Sequence, residues 1–196
     1  MKSSEWKRIV RHALPDQSKW AFRGTLCYAV PVGRVLFGVA MQNSRDPECM
    51  YISRIAMPLF IPTTVVYGGE RIRGKDGQII SVTEDLEGLL HPVLSAELDE
   101  SLELRKMVSV GASSVNRLLQ ETAGYAELLQ GNVPAARQIL RSIQPPPGDS
   151  RAFVLEMFSR VRMVVDLLDQ GSSAAIGQLD KWVGESAGNL GLSRVR

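Results

Sequence analysis

Ile79-Ile80-Ser81-Val82-Thr83-Glu84-Asp85-Leu86-Glu87-Gly88-Leu89-Leu90 is the stretch in which the chain changes character. Up to Val82 the apolar residues come in short β-prone runs, rich in β-branched and aromatic side chains. From Thr83 those runs disappear. Glu84, Asp85 and Glu87 gather where acids favour the first turn of a helix, and Leu86, Leu89, Leu90, Val93 and Leu94 follow at helical spacing. The switch of period predicts an α+β chain. Residues 1–82 form an α+β domain with an antiparallel meander, and residues 83–196 form a helical domain.

Upstream of the switch, Ser4 to Leu14 reads as a short leading helix, with Ser4 as N-cap, Trp6, Ile9, Val10 and Ala13 on one face and Pro15 beyond its end. Three strand-like runs follow, Trp20 to Val30, Arg34 to Met41 and Cys49 to Met57. They are closely spaced, so they favour an antiparallel meander over a parallel sheet, which would need helical crossovers. Thr63 to Tyr67, Glu70 to Arg73 and Gln78 to Ser81 read as short edge elements. The last two flank Gly74-Lys75-Asp76-Gly77, and Asp-Gly between β-prone residues predicts a hairpin. Downstream, Pro92 predicts a break or kink near His91. Further helices are expected over about 96–110, 113–129, 135–143, 150–168 and 173–186, with Pro145-Pro146-Pro147-Gly148 as a linker.

Charge divides at the same place. Residues 1–82 carry a net +6 and residues 83–196 a net −4, within an overall +2. Such asymmetry points to different partners for the two halves, or to halves that attract one another. No apolar run approaches the roughly 20 residues of a membrane span, and the charged opening Met1-Lys2-Ser3-Ser4-Glu5-Trp6-Lys7 does not read as an export signal. A cytoplasmic protein without membrane association is expected, with Cys27 and Cys49 reduced and buried.

The helical half contains an internal echo. Leu128-Leu129-Gln130-Gly131 leads to Ala135-Ala136, and Leu167-Leu168-Asp169-Gln170-Gly171 leads to Ala174-Ala175. Glycine permits a left-handed helix stop, and the alanine pair lets the next helix approach closely. A recurrence near 40 residues points to stacked helical hairpins. On Gly124, Gly131, Ala136 and Leu140, residues 116–186 resemble the tetratricopeptide-like helical hairpins. The aromatic and leucine positions ahead of Gly124 are missing, and Phe158 stands where a small residue is expected. The resemblance implies a helical-hairpin scaffold of a kind often used for binding. The N-terminal half, with Leu26-Cys27-Tyr28 and Met57-Pro58-Leu59-Phe60-Ile61-Pro62, is similar to small bacterial domains, some of which occur beside toxin–immunity or defence genes. That likeness implies an accessory, immunity, chaperone or defence role.

Candidate chemistry is sparse. His12 and His91 are the only histidines, and they are far apart in sequence from each other and from both cysteines, without the close pairs that metal sites use. The acids at 84–87 and 97–103 fall near helix starts, where a solvated role suffices. Gly68-Gly69 and Gly74 to Gly77 lie between strands, not ahead of a phosphate-binding helix. The residues therefore lead to the expectation of a non-enzymatic protein-interaction module with no catalytic residues, metal or cofactor. Tyr125, Leu128, Arg137, Arg141 and Arg160 are its candidate contacts with an unidentified protein partner. The alternative is single-stranded nucleic-acid binding by basic and aromatic side chains of the sheet, Arg23, Arg34, Arg54, Tyr28 and Tyr51. The sequence sets no oligomeric state.

Overall fold

The computed structural model describes residues 1–67, 69–74, 77, 79–145 and 151–192. It has the α+β class that the change of period predicts. Helix α1 (Ser3–Ala13) leads into strands β1 (Trp20–Arg23), β2 (Leu26–Ala29), β3 (Val35–Asn43), β4 (Cys49–Pro58), β5 (Glu70–Ile72) and β6 (Ile80–Ser81). Helices α2 (Leu86–Leu94), α3 (Glu100–Gly111), α4 (Arg117–Leu129), α5 (Val133–Ser142), α6 (Ala152–Gln170) and α7 (Ser172–Asn189) complete the chain. Every strand pairing is antiparallel, in the order β1-β2-β3-β4-β5, with β6 also on β4.

Two compact units divide these elements. The first takes residues Met1–Leu59, Thr63–Leu98 and, among the described residues, 185–192. The second takes Phe60–Pro62 and Asp99–Gly184. Secondary structure turns helical after Ser81, but α2 belongs with the sheet. Leu86, Leu90 and Leu94 share a core with Trp6 and Val10 of α1 and with Met41, Met50, Ile52 and Ile80 of the sheet. Burying each such large side chain contributes about 1.5–3 kcal/mol, so α2 is held by this core and not by its nine-residue length.

Several local expectations are corrected. The run Trp20 to Val30 is not one strand. Gly24, at φ +59°, turns it back with Thr25, and Arg23 pairs with Leu26. Trp20 and Phe22 therefore share a face with Ala29 and Cys27, while Tyr28 points to the other face. Ser4 does not cap α1, whose N-cap is Lys2. The start of α1 is instead fastened to the β1–β2 turn, by Ser3 Oγ donating to Gly24 O (3.1 Å) and Trp6 Nε1 donating to Thr25 O (2.8 Å).

Thr63 to Tyr67 forms no strand. The Thr63 hydroxyl donates to Val65 O (2.9 Å) and accepts from Val65 N (3.2 Å), a local pairing that competes with a ladder. β5 and β6 do not pair with each other. Both run antiparallel to β4 along the edge opposite β3, with Ile72 beside Ile52 and Ile80 beside Met50. That register sets both isoleucines against the buried side of β4, which a hairpin between them would not do. The Lys75-Asp76 part of the expected turn lies outside the described residues, as do residues 146–148 of the proline linker.

Pro92 does not break α2 at His91. The helix runs two residues beyond Pro92, to Leu94, and His91 Nδ1 lies 3.1 Å from Ala13 O, tying α2 to the end of α1. In the second unit, Asp99 and Asn116 cap α3 and α4 by accepting from Leu102 N (3.1 Å) and Leu118 N (3.0 Å). These caps start both helices later than the apolar spacing predicts.

Candidate functional sites

The helical unit is built on a polar centre that the sequence does not announce. Glu121, in the second turn of α4, is fully buried (0% exposed). Arg160 of α6 meets it with two parallel bonds, Nε to Oε1 and Nη2 to Oε2, each 3.0 Å. Burial pushes the Glu121 carboxyl above its ordinary range, and the Arg160 guanidinium opposes that shift. Tyr125, one turn along α4, is also buried. Burial first, and then the neighbouring carboxylate, drive its phenol well above the usual value. Its hydroxyl finds no partner of good hydrogen-bond geometry among the described residues. The ring is wedged between Phe60 (6.5 Å, nearly perpendicular) and Trp182 (6.0 Å, tilted at 47°).

The two Gly-Ala echoes occupy equivalent places. Gly131 and Gly171 both have positive φ, at +82° and +145°, and both follow the end of a helix, but Gly171, with ψ 147°, is extended and not in the left-handed helical conformation expected of the stop. Ala136 and Ala175 are completely buried, and Leu128, Leu140, Leu168 and Leu179 are buried as well. At Gly124 a Cβ would fall 2.5 and 2.6 Å from Leu140 side-chain carbons, so Leu140 of α5 packs into the space that a side chain at 124 would fill. Counted from the glycine stops, the second echo places Val164, not Phe158, at the position of Gly124.

All five residues singled out in this half are engaged inside it. Tyr125 and Leu128 are buried, and Arg160 holds Glu121. Arg137 donates to Asp169 Oδ1 (2.8 Å) and to Leu168 O (2.9 Å), where the end of α6 leaves carbonyls without helical partners. Arg141 donates to both oxygens of Asp169 at 2.9 and 3.0 Å. The unit also turns large apolar side chains outward. Val115 is 96% exposed, Phe153 63% and Val110 61%, and Leu118, Leu155 and Met163 are each more than two-fifths exposed. Amphipathic spacing hides such residues from a sequence reading, because an apolar position at helical period reads as core.

In the sheet unit the five basic and aromatic candidates do not share one surface. Tyr28 is buried. Arg23 and Tyr51 lie on the same sheet face as Tyr28, Arg54 lies on the other, and Arg34 precedes β3. A residue outside that set joins Tyr51. The Arg71 guanidinium sits 4.5 Å from the centre of the Tyr51 ring. The near end of residues 185–192 is held by Ser186 Oγ, which accepts from Thr63 N (3.2 Å), and by Asn189 Nδ2, which donates to Thr63 O (3.4 Å).

Among the described residues no three histidine, cysteine or acidic side chains stand close enough to hold a metal ion. His12 lies 4.0 Å from Glu87 on the surface, and His91 faces a backbone carbonyl. Cys27 is buried and its thiol is pushed up to about 12 by burial. Cys49 is half-buried, and its thiol is raised by desolvation and by the nearby Asp46 carboxylate, so neither thiol is activated as a nucleophile. Among the described residues no helix is long and apolar enough to cross a membrane. The fold and these sites define an α+β protein with a helical-hairpin half. No protein-family model, curated protein or solved structure matches the chain.

Proposed function

We propose that this chain is a non-enzymatic protein-interaction module whose helical unit carries the partner surface. The observation behind this reading is the exposure of Val110, Val115, Leu118, Phe153, Leu155 and Met163 in one unit. Large apolar side chains that face water are the groups through which a protein of this size makes apolar contacts with a partner. The Glu121–Arg160 pair and the buried alanine seams support a stiff frame for that surface, in the manner of tetratricopeptide-like hairpins. An accessory role such as immunity, chaperoning or defence, in the cytoplasm, fits a small binding protein of this kind. Single-stranded nucleic-acid binding has less support, because Tyr28 is buried and Arg54 lies on the opposite sheet face from Tyr51.

The test is affinity capture from the native lysate with the wild-type chain and with Leu118→Ser/Leu155→Ser. Both side chains are more than two-fifths exposed, so the variant keeps its fold by circular dichroism. A discrete partner held by the wild type and lost by the variant supports the reading. Equal recovery by both rejects it.

A further inference from the structure

The free edge of the sheet offers a second and chemically different surface. β5 ends the strand order, so one side of Glu70–Ile72 has no strand beside it among the described residues. An edge strand presents backbone N–H and C=O groups that another extended chain can pair with. β5 is only three residues long and charged, which limits pairing between like chains. Against this edge lies an open groove of about 300 Å³, lined by Arg54, Glu70 and Ile72 of the sheet and by Pro92 and Val93 of α2.

The alternation of side chains fixes what each face of that edge prefers. Ile72 pairs with Ile52 and belongs to the apolar core face, so a residue added opposite it would meet Ile72, Pro92 and Val93. Arg71 pairs with Ser53 and points to the other face, where its guanidinium lies over Tyr51. A guanidinium seated over an aromatic ring still carries the forked N–H donors that match a carboxylate. Arg73 adds positive charge one residue beyond the strand, with its side chain anchored on Gly77 O at 2.9 Å.

From this juxtaposition we infer that the β5 edge binds an extended peptide in which apolar and acidic residues alternate. The apolar side chain fills the groove between β5 and α2, and the carboxylate meets Arg71. The inference rests on reading the chain as a binding protein, but it uses none of the exposed apolar side chains of the helical unit.

The probe is a capped, fluorescently labelled peptide of about six alternating valine and glutamate residues, a usual strand length. Fluorescence anisotropy is expected to show binding that weakens as salt is raised. Replacing glutamate by lysine, or Arg71 by Glu, is expected to weaken it at least ~10-fold. Methylating the amide nitrogens along one edge of the peptide keeps the side chains, and it should abolish binding if the backbone ladder is the contact. Leu118→Ser/Leu155→Ser is expected to bind the peptide as the wild type does, which separates failure of this site from failure of the helical surface. Arg71 is exposed, so R71E keeps its fold, and Ile72→Ser removes the apolar wall as a second variant. No binding, equal binding of the lysine peptide, unchanged binding by R71E, or displacement of the peptide by self-association of the chain would each overturn the assignment.

Discussion

Glu121 and Arg160 set the strongest constraint that single residues place on the helical unit. A carboxylate with 0% exposure is tolerable only because both its oxygens are bound by a guanidinium that is itself 18% exposed. Removing one partner leaves the other buried and unpaired, which costs about 3–5 kcal/mol in comparable pairs. Arg160→Met should therefore lower unfolding stability by about 3 kcal/mol near neutral pH. The pH dependence follows from the direction of the carboxyl shift. The folded-state pKa of Glu121 lies above its unfolded value, so its contribution favours the fold below the ordinary carboxylate range and is lost as pH rises through the folded value. Without Arg160 that dependence steepens. Urea unfolding at about pH 4 and about pH 7 should show a smaller deficit for the variant at the acid end. An equal deficit at both would mean that Glu121 is not the group left unpaired.

At the scale of elements, α4 and α5 depend on a missing side chain. Gly124 lets Leu140 approach to a distance at which a Cβ would collide with its branch carbons. Gly124→Ala should destabilise the unit by about 1–3 kcal/mol, despite alanine's higher helix propensity, and a smaller residue at 140 should restore part of the loss. A melting temperature raised by Gly124→Ala would contradict the packing described.

Much of the element order could be read from residues alone, because periodicity reports burial and the glycines at 131 and 171 report helix ends. What could not be read has physical causes. Gly24 is a single glycine among β-prone residues, and its turn exists because Phe22 and Cys27 both reach the core face. β5 and β6 look like a hairpin locally, but Ile72 and Ile80 gain more by lying against Ile52 and Met50. Glu121 reads as one more acid on a helix, and only Arg160, 39 residues later, makes its burial possible. The same holds for the exposed apolar side chains of the helical unit. Tyr125 and Leu128 look like contacts and are core, whereas Leu118, Leu155 and Met163 look like core and face water.

For the molecule as a whole, the two units carry two kinds of surface. The sheet unit offers arginines and an open strand edge, and the helical unit offers apolar side chains over an ion-paired interior. Neither surface carries an activated nucleophile or a metal-binding cluster among the described residues. On the proposed function, the apolar side chains of the helical unit touch a protein partner. Site-specific photo-crosslinking in living cells tests it most directly, with a photoreactive phenylalanine analogue placed at 118, at 155 and, as an exposed control in the sheet unit, at 8. One discrete crosslinked product is expected from 118 and 155 and none from 8. Crosslinks of equal yield from all three positions, or none from 118 and 155, would contradict it.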